Sequence, residues 1–460
     1  MASSRSSSQT TTSTIPYAPG ALPFVGHGLK YTKDPLAFLE FVTSWGPVVK
    51  VRLGPLEAIV IRDPVDIERM VMGEHKHLTK DKMTLVLRRI LGEGLLTSTG
   101  DTWVRHRKLL APIFQPANVA KLGVTMVDVA ERHARGIPAH ARRELQADMT
   151  KLTADIVTRT LFAGDLGAES DKVGPALQVL VDQYGHGMTA LFPALEKLPI
   201  PSNKRAHAAL ATLDEILQGL VDRARARGSS GTDLLSMLLT ARDDAGTGLG
   251  DNELRDQLMT FFLAGHETTA LTLTFALTLL AKNPDAERKL RDEINGALGD
   301  APATAADVSR LPYTRAVVLE TMRLYPPAWA IGRETLEELH LGEYVLPKGS
   351  QLWFLQWINH RDSKFFPEPL QFRPERWLDG LERTLPRFAY YPFGGGHRVC
   401  IGNHFAMMEA ILAIATLLRR FRIRLVNPTA PLVPMAGITL RPKKPIHVIY
   451  EPLETGKGNP

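Results

Sequence analysis

The chain has 460 residues, 44% of them hydrophobic and 23% charged, a globular balance with enough apolar material for a large core. Its single cysteine, Cys400, excludes an internal disulfide framework and any paired-cysteine metal or redox motif. The net charge of +6 is dispersed, with no basic tract interleaved with aromatics, which argues against nucleic acid and suits an acidic protein partner or a solvated surface.

In chain order, residues 1–15 (MASSRSSSQTTTSTI) are Ser/Thr-rich and lack the apolar core of a signal peptide or membrane anchor. Residues 1–20 are expected to be a disordered tail and residues 21–455 a single domain, since no linker-like break follows. Pro16, Pro19, Gly20 and Pro23 stiffen the next segment, and PVVKVRLGPLEAIVIRD reads as a β-hairpin around Gly54 and Pro55. From about residue 115 to 300 the apolar spacing is helical, as in MVDVAERHAR, IVTRTLFAG and LDEILQGLVDRARA. A helix from Asp251, the expected cap, to about Ala281 is apolar nearly all round. His266 and Glu267 interrupt it well short of the roughly 20 apolar residues of a membrane span, so it is expected to cross the protein core. HLGEYVLPKGSQLWFL returns to strands, with a turn at Pro347 to Gly349.

Three clusters carry chemistry. Around the cysteine the chain reads FGGGHRVCIG, followed by the helical pattern NHFAMMEAILAIATLLRR. Glycines allow close backbone approach to a flat ligand, and a thiol just before a helix N-terminus is favoured as the anion. The alternative is a glycine-rich turn with an idle thiol. A phosphate loop is disfavoured because no Gly-Lys-Ser/Thr follows. In the middle of the long apolar helix stand Ala264, Gly265, His266, Glu267, Thr268 and Thr269, polar groups that are costly to bury unless they are bonded or functional. Zinc binding through His266 is excluded, since the position one turn later is Ala270. Gly265 is expected to open room beside the helix for a flat cofactor, whereas the threonines have the alternative of bonding back to carbonyls one turn earlier. Glu320 and Arg323, three residues apart in LETMRLYPPAW, share a helix face that Pro326 and Pro327 end.

Together these clusters resemble the cytochrome P450 family, and the resemblance runs from the proline-rich segment through NHRDSKFFPEPLQFRPERW to the last strands. It implies a mainly α fold with a small β region, a triangular prism holding haem b (iron protoporphyrin IX) between the oxygen-binding helix and the helix after the cysteine loop. Cys400 would be the axial iron ligand with Phe393 shielding the sulfur. Glu267 would relay protons and Thr268 would hydrogen-bond dioxygen. Glu320 and Arg323, with Arg376 as third member, would hold the core behind the cysteine loop. Trp103, Arg107, Arg333 and Arg398 match positions that reach the haem propionates.

The implied reaction is insertion of one atom of O2 into a hydrophobic organic substrate, a fatty acid, terpenoid or steroid, with the other atom reduced to water. Electrons are expected from separate proteins, an acidic ferredoxin or flavodoxin with its NAD(P)H-dependent reductase, docking on a basic face that includes Arg105, Lys108 and Arg398. The substrate pocket is expected within Met83–Leu87, Ala264, Ala328–Ile331 and Met435–Ile438, with Leu85, Leu87, Trp329, Ile331, Met435 and Ile438 as its apolar wall. Several of these are alternatively ordinary core residues. A peroxide-driven enzyme, an oxygen-independent isomerase and a non-catalytic haem sensor or carrier are the alternative functions, and the cytoplasm is the expected location.

Overall fold

A computed structural model describes residues 13–162, 170–184, 198–228 and 233–453. The helices that position the site are α1 (Gly28–Lys33), α2 (Gly100–Leu110), α3 (Pro116–Arg135), α4 (Leu145–Phe162), α5 (Ser170–Tyr184), α6 (Asp251–Lys282), α7 (Pro312–Leu324) and α8 (Asn403–Arg420). Strands β1 (Val48–Leu53), β2 (Leu56–Ile61), β3 (Leu78–Thr79), β4 (Ile331–Thr335) and β5 (Gln351–Phe354) form a sheet in the order β1-β2-β5-β4-β3. A separate hairpin pairs β6 (Pro434–Ala436) with β7 (Leu440–Pro442). The fold is therefore mainly α with a small β region, as its periodicities predict.

Because α6 is apolar on nearly every face, it has to be surrounded. Every residue from Thr269 to Leu280 is buried, and the helix packs against α4, α7 and α8. Thr272, Thr274 and Thr278 donate to the carbonyls one turn back at 2.9, 2.7 and 2.7 Å, so these three hydroxyls are satisfied without external partners. The N-cap is Gly250, one residue before the expected Asp251. Glu253 Oε2 accepts from the Gly250 amide at 2.9 Å, which is how the first turn is closed. No described helix is long and apolar enough to cross a membrane.

The expected hairpin is β1–β2, turning at Gly54 with φ 60° and pairing Leu53 with Leu56. Of the expected tail, residues 1–12 lie outside the described residues, but residues 13–20 are not a free tail. Ala18 N donates to Lys50 O at 2.9 Å, Lys50 N donates to Pro16 O at 2.8 Å, and Ile15 and Ala18 are buried. Two apolar side chains and an open strand edge are sufficient to fix this segment, so the tail boundary expected at residue 20 falls no later than Ser13. Ala163 and Gly164 of the helical pattern IVTRTLFAG, and residues 454–455 of the expected domain, lie outside the described residues.

The largest polar investment of the core lies on α7. Glu320 and Arg323 are both fully buried, and Arg323 grips the carboxylate with Nε at 2.8 Å and Nη2 at 2.9 Å. The remaining guanidinium donors reach the carbonyls of His360, Pro369 and Gln371 at 2.9, 2.6 and 3.1 Å. Glu320 also accepts from Arg373 N, Arg376 Nε and Trp377 Nε1 at 2.9, 3.0 and 2.9 Å. The pair that would be a surface bridge in an exposed helix is here a closed interior network. Arg323→Leu is expected to lower stability by about 3–5 kcal/mol, since it strands a buried carboxylate. Thermal melts of Arg323→Leu beside wild type check this, and an unchanged midpoint would contradict it.

Candidate active site

The cysteine loop is shaped by glycines at two enforced positions. Gly396 has φ 66°, and a Cβ there would lie 2.8 Å from Val71 O; a Cβ on Gly395 would lie 2.5 Å from the Phe388 ring. The backbone thus runs where only glycine fits, and Cys400 N donates to Phe393 O at 2.9 Å to close the loop. Cys400 is free and exposed, two residues before the N-cap Gly402 of α8. Burial nevertheless pushes its thiol up, while the Gly402 amide and the Arg107 guanidinium pull it down. The side chain is thus accessible yet crowded by surrounding protein. The helix start that favours the anion is therefore outweighed by desolvation in the protein alone, and a positive partner is needed to reverse the balance.

On α6, Ala264 is exposed although Phe261, Phe262 and Leu263 before it are buried, which marks a notch in an otherwise sealed helix. Thr268 Oγ1 donates to Ala264 O at 2.7 Å, so its proton is committed and its lone pairs are left to accept. Glu267 Oε1 accepts from Thr439 Oγ1 of the β6–β7 hairpin at 2.9 Å. Burial raises the Glu267 carboxyl, and Thr439 and Arg441 oppose that rise. Arg441 in turn pairs with Asp182 of α5 at 2.8 Å. Glu409 on α8 is a second buried acid, pushed well up by desolvation and opposed by Thr269 of α6.

Gly265 lies against a neighbouring helix. A Cβ there would meet Val157 Cγ2 of α4 at 3.2 Å, so this glycine serves the close approach of α4 and α6. Thr153 of α4 donates to His266 O at 2.9 Å across the same contact.

A buried set of cations gathers near the loop. Arg333, carried inward on β4, is held by its own strand through a 2.7 Å bond to Gly332 O. Arg398 lies over the Trp103 ring at 4.3 Å and donates to Ser98 O at 3.1 Å. Lys80, which the sequence reading missed, is buried with no hydrogen-bond or ion-pair partner among the described residues. Desolvation and the charges of Arg333 and Arg398 push Lys80 well down. Arg107 Nη1 donates to Val399 O at 3.0 Å, which fixes it beside the cysteine rather than with this set. Burying positive charges together is unfavourable unless an anion joins them. A glycine-walled thiol, a notched helix and unmatched buried cations fit a flat iron cofactor that carries carboxylates.

Other expected positions divide. Leu85, Trp329, Ile331, Met435 and Ile438 are partly exposed, as lining residues are, and Trp329 Nε1 donates to Gly437 O at 2.9 Å. Leu87 is instead part of the main core cluster. The expected basic docking face is not free. Arg105 is engaged by Asp243 at 2.8 Å, Glu253 at 2.7 Å and Gly248 O at 2.7 Å, Lys108 lies 3.5 Å from Asp244, and Arg398 is occupied as above. A surface cleft of about 690 Å³ beside this network, lined by Arg225, Arg242 and Leu254 among others, contains neither Cys400 nor Glu267 and is separate from the site.

The fold and these features define a haem-thiolate monooxygenase. Residues 16–449 match the family model described as Cytochrome P450, and the chain belongs to the cytochrome P450 family. It is 36% identical to cyclooctatin synthase of Streptomyces melanosporofaciens, over 95% of this chain and 94% of that one. It is 34% identical to cyclooctat-9-en-7-ol 5-monooxygenase of the same organism, over 90% of each. Pentalenene oxygenase of Streptomyces avermitilis is 33% identical, over 92% of this chain and 94% of its own length. The family's cofactor is a haem iron, its reaction consumes O2 and an organic substrate, and its electrons come from redox partners.

His266, to which the sequence reading assigns no role, is buried against Phe262 with neither ring nitrogen bonded, and desolvation holds it down to about 4 from 6.5. The folded state resists protonation that the unfolded chain accepts, so stability is full above about pH 6.5 and falls as pH drops towards 4. Between pH 7 and 5 the loss assigned to this residue is about 2 kcal/mol. Denaturant titrations of His266→Leu at both pH values are expected to show that much less acid sensitivity than wild type.

Proposed function

We propose that the chain uses Cys400 as axial ligand to haem b and hydroxylates a cyclic terpenoid with electrons from a separate acidic ferredoxin or flavodoxin, in the cytoplasm. The observation that carries the reading is the exposed yet desolvated Cys400, set in a loop that only glycines can build. The three relatives above, whose names refer to cyclooctatin, cyclooctatenol and pentalenene chemistry, support the terpenoid class. So does the apolar character of the partly exposed Leu85, Ile331 and Ile438. The net charge of +6 supports an acidic donor.

The haem iron supplies the oxygen activation when bound. Lys80, Arg333 and Arg398 would hold its propionates, with Trp103 as the platform that aims Arg398. Arg107 steadies the cysteine loop through Val399. Glu267 is the acid, its carboxyl raised by burial, and it would be refilled from the hairpin side, where Thr439 donates to it. Thr268, with its own hydrogen given to Ala264, accepts from a protonated group in the notch. That division gives one residue that delivers a proton and one that orients its destination.

Two measurements test this reading. The reduced protein with carbon monoxide is expected to show a strongly red-shifted Soret band that Cys400→Ser loses; a histidine-type band in the wild type would refute the ligation. Lys80→Met is expected to release haem to apomyoglobin roughly tenfold faster, in line with loss of one charge-assisted contact, while an unchanged release rate would remove Lys80 from the cofactor site. Turnover that proceeds without a reductant but with peroxide would favour the peroxide-driven alternative.

A further inference from the structure

From one hairpin, two side chains two positions apart reach two different helices. Thr439 donates to Glu267 Oε1 of α6 at 2.9 Å, and Arg441 Nη2 meets Asp182 Oδ1 of α5 at 2.8 Å. The two acids so engaged are unlike. Asp182 keeps 51% of its side chain exposed and also accepts from Gln178 Nε2, one turn earlier, at 2.9 Å. Glu267 lies deeper, where burial raises its carboxyl. Arg441 is itself buried, with 9% of its side chain exposed and no hydrogen-bond partner for its Nε. It is bonded to the outer acid, while its charge also acts on the inner one.

A buried guanidinium requires a negative partner. While Asp182 fills that place, Glu267 need not. The charges that act on Glu267 agree with this division, since Arg441 pulls its carboxyl down and Asp182 pushes it up. The other surroundings are uncharged there. Helix α4, packed on the same stretch of α6, brings Thr153 and Val157, and His266 beside Glu267 is held neutral by burial.

We propose that Asp182 and Arg441 are positioning residues for the acid of the reaction: Asp182 holds the guanidinium on the α5 side, so that Glu267 is not drawn into serving as its counter-ion. The inference rests on Glu267 as the proton donor proposed above and adds what keeps it one. A bridge that merely clasped α5 to the hairpin would behave differently. Cut from either end, a clasp admits water and lets the Glu267 carboxyl fall towards its ordinary range. A bridge that divides charge gives opposite results, because loss of Asp182 leaves Arg441 to Glu267, whereas loss of Arg441 removes the downward pull.

The test is an infrared titration of the holoenzyme that follows the protonated-carboxyl stretch of Glu267, identified as the band that Glu267→Gln removes. Asp182→Asn is expected to place the midpoint of that band about one pH unit below wild type, and Arg441→Met about one pH unit above it. Asp182→Glu, which keeps the charge, is expected to restore the wild-type midpoint. Where Arg441→Met does not fold, Arg441→Gln keeps a hydrogen-bond donor for Asp182 while removing the charge, and it is expected to shift the midpoint upward as well. Midpoints that coincide with wild type, or that move in the same direction in the Asp182 and Arg441 variants, would overturn this inference alone. Oxygen uptake by Glu267→Gln equal to that of wild type, driven by a surrogate ferredoxin and its reductase, would overturn the proton-donor reading and this inference with it.

Discussion

A carboxylate and a guanidinium sealed from water on one helix, Glu320 and Arg323, organise the half of the protein behind the cysteine loop. Desolvating two ions is costly, and their attraction offsets that cost only if the remaining donors and lone pairs are filled. The filling comes from the irregular stretch that contains His360, Pro369, Gln371, Arg373, Arg376 and Trp377, whose path is thereby dictated. The Trp377 and Tyr390 rings meet at 4.4 Å, tilted by 46°, and the Tyr390 hydroxyl donates back to Leu319 O of α7 at 2.8 Å. Tyr391 N donates to the ring of buried His360 at 2.9 Å, and Phe393, whose carbonyl receives Cys400, follows two residues on. The position of the thiol is in this sense a consequence of how one ion pair is satisfied.

The site shows the opposite balance. Around Glu320 every charge has its counterpart within the chain, whereas Lys80, Arg333 and Arg398 share the interior with one neighbouring carboxylate, Asp81, which accepts from Thr84 Oγ1. Desolvation weakens the charged form of all three cations, and Arg398 is brought down to about 9. The two groups of arginines in this chain thus differ in how their charges are met: one lies in a closed network within the chain, and the other keeps charge that a ligand's carboxylates would match.

Legibility in the sequence followed locality. The cysteine loop, the Glu267–Thr268 pair and the Glu–x–x–Arg pair are short in sequence and resemble family motifs, so α6, α7 and the loop before α8 were readable. Contacts between distant segments were not. Thr439 reaches Glu267 across 172 positions, and Lys80 lies in an unremarkable polar stretch, so no local signal pointed to either. The contact of Gly265 with Val157 was not readable either, because a missing side chain in a helix does not reveal which neighbour uses the space. Arg105 misled because an arginine on a basic protein reads as surface until the acids that hold it, Asp243 and Glu253, are seen beside it.

Helix α6 carries two demands that pull against each other. To run through the centre it has to be apolar on every face, and to serve chemistry it needs polar atoms at one level. It meets both by confining exposure to the level of Ala264 and having its hydroxyls bond to its own carbonyls, so that Thr268 is satisfied without an external partner and still offers an acceptor. Glu267 has no hydrogen-bond partner within the helix and takes one from another element, the β6–β7 hairpin. Burial disfavours its charge and raises its carboxyl, against the pull of Thr439 and Arg441. The dryness of the core and the raised carboxyl of Glu267 thus have one cause, desolvation.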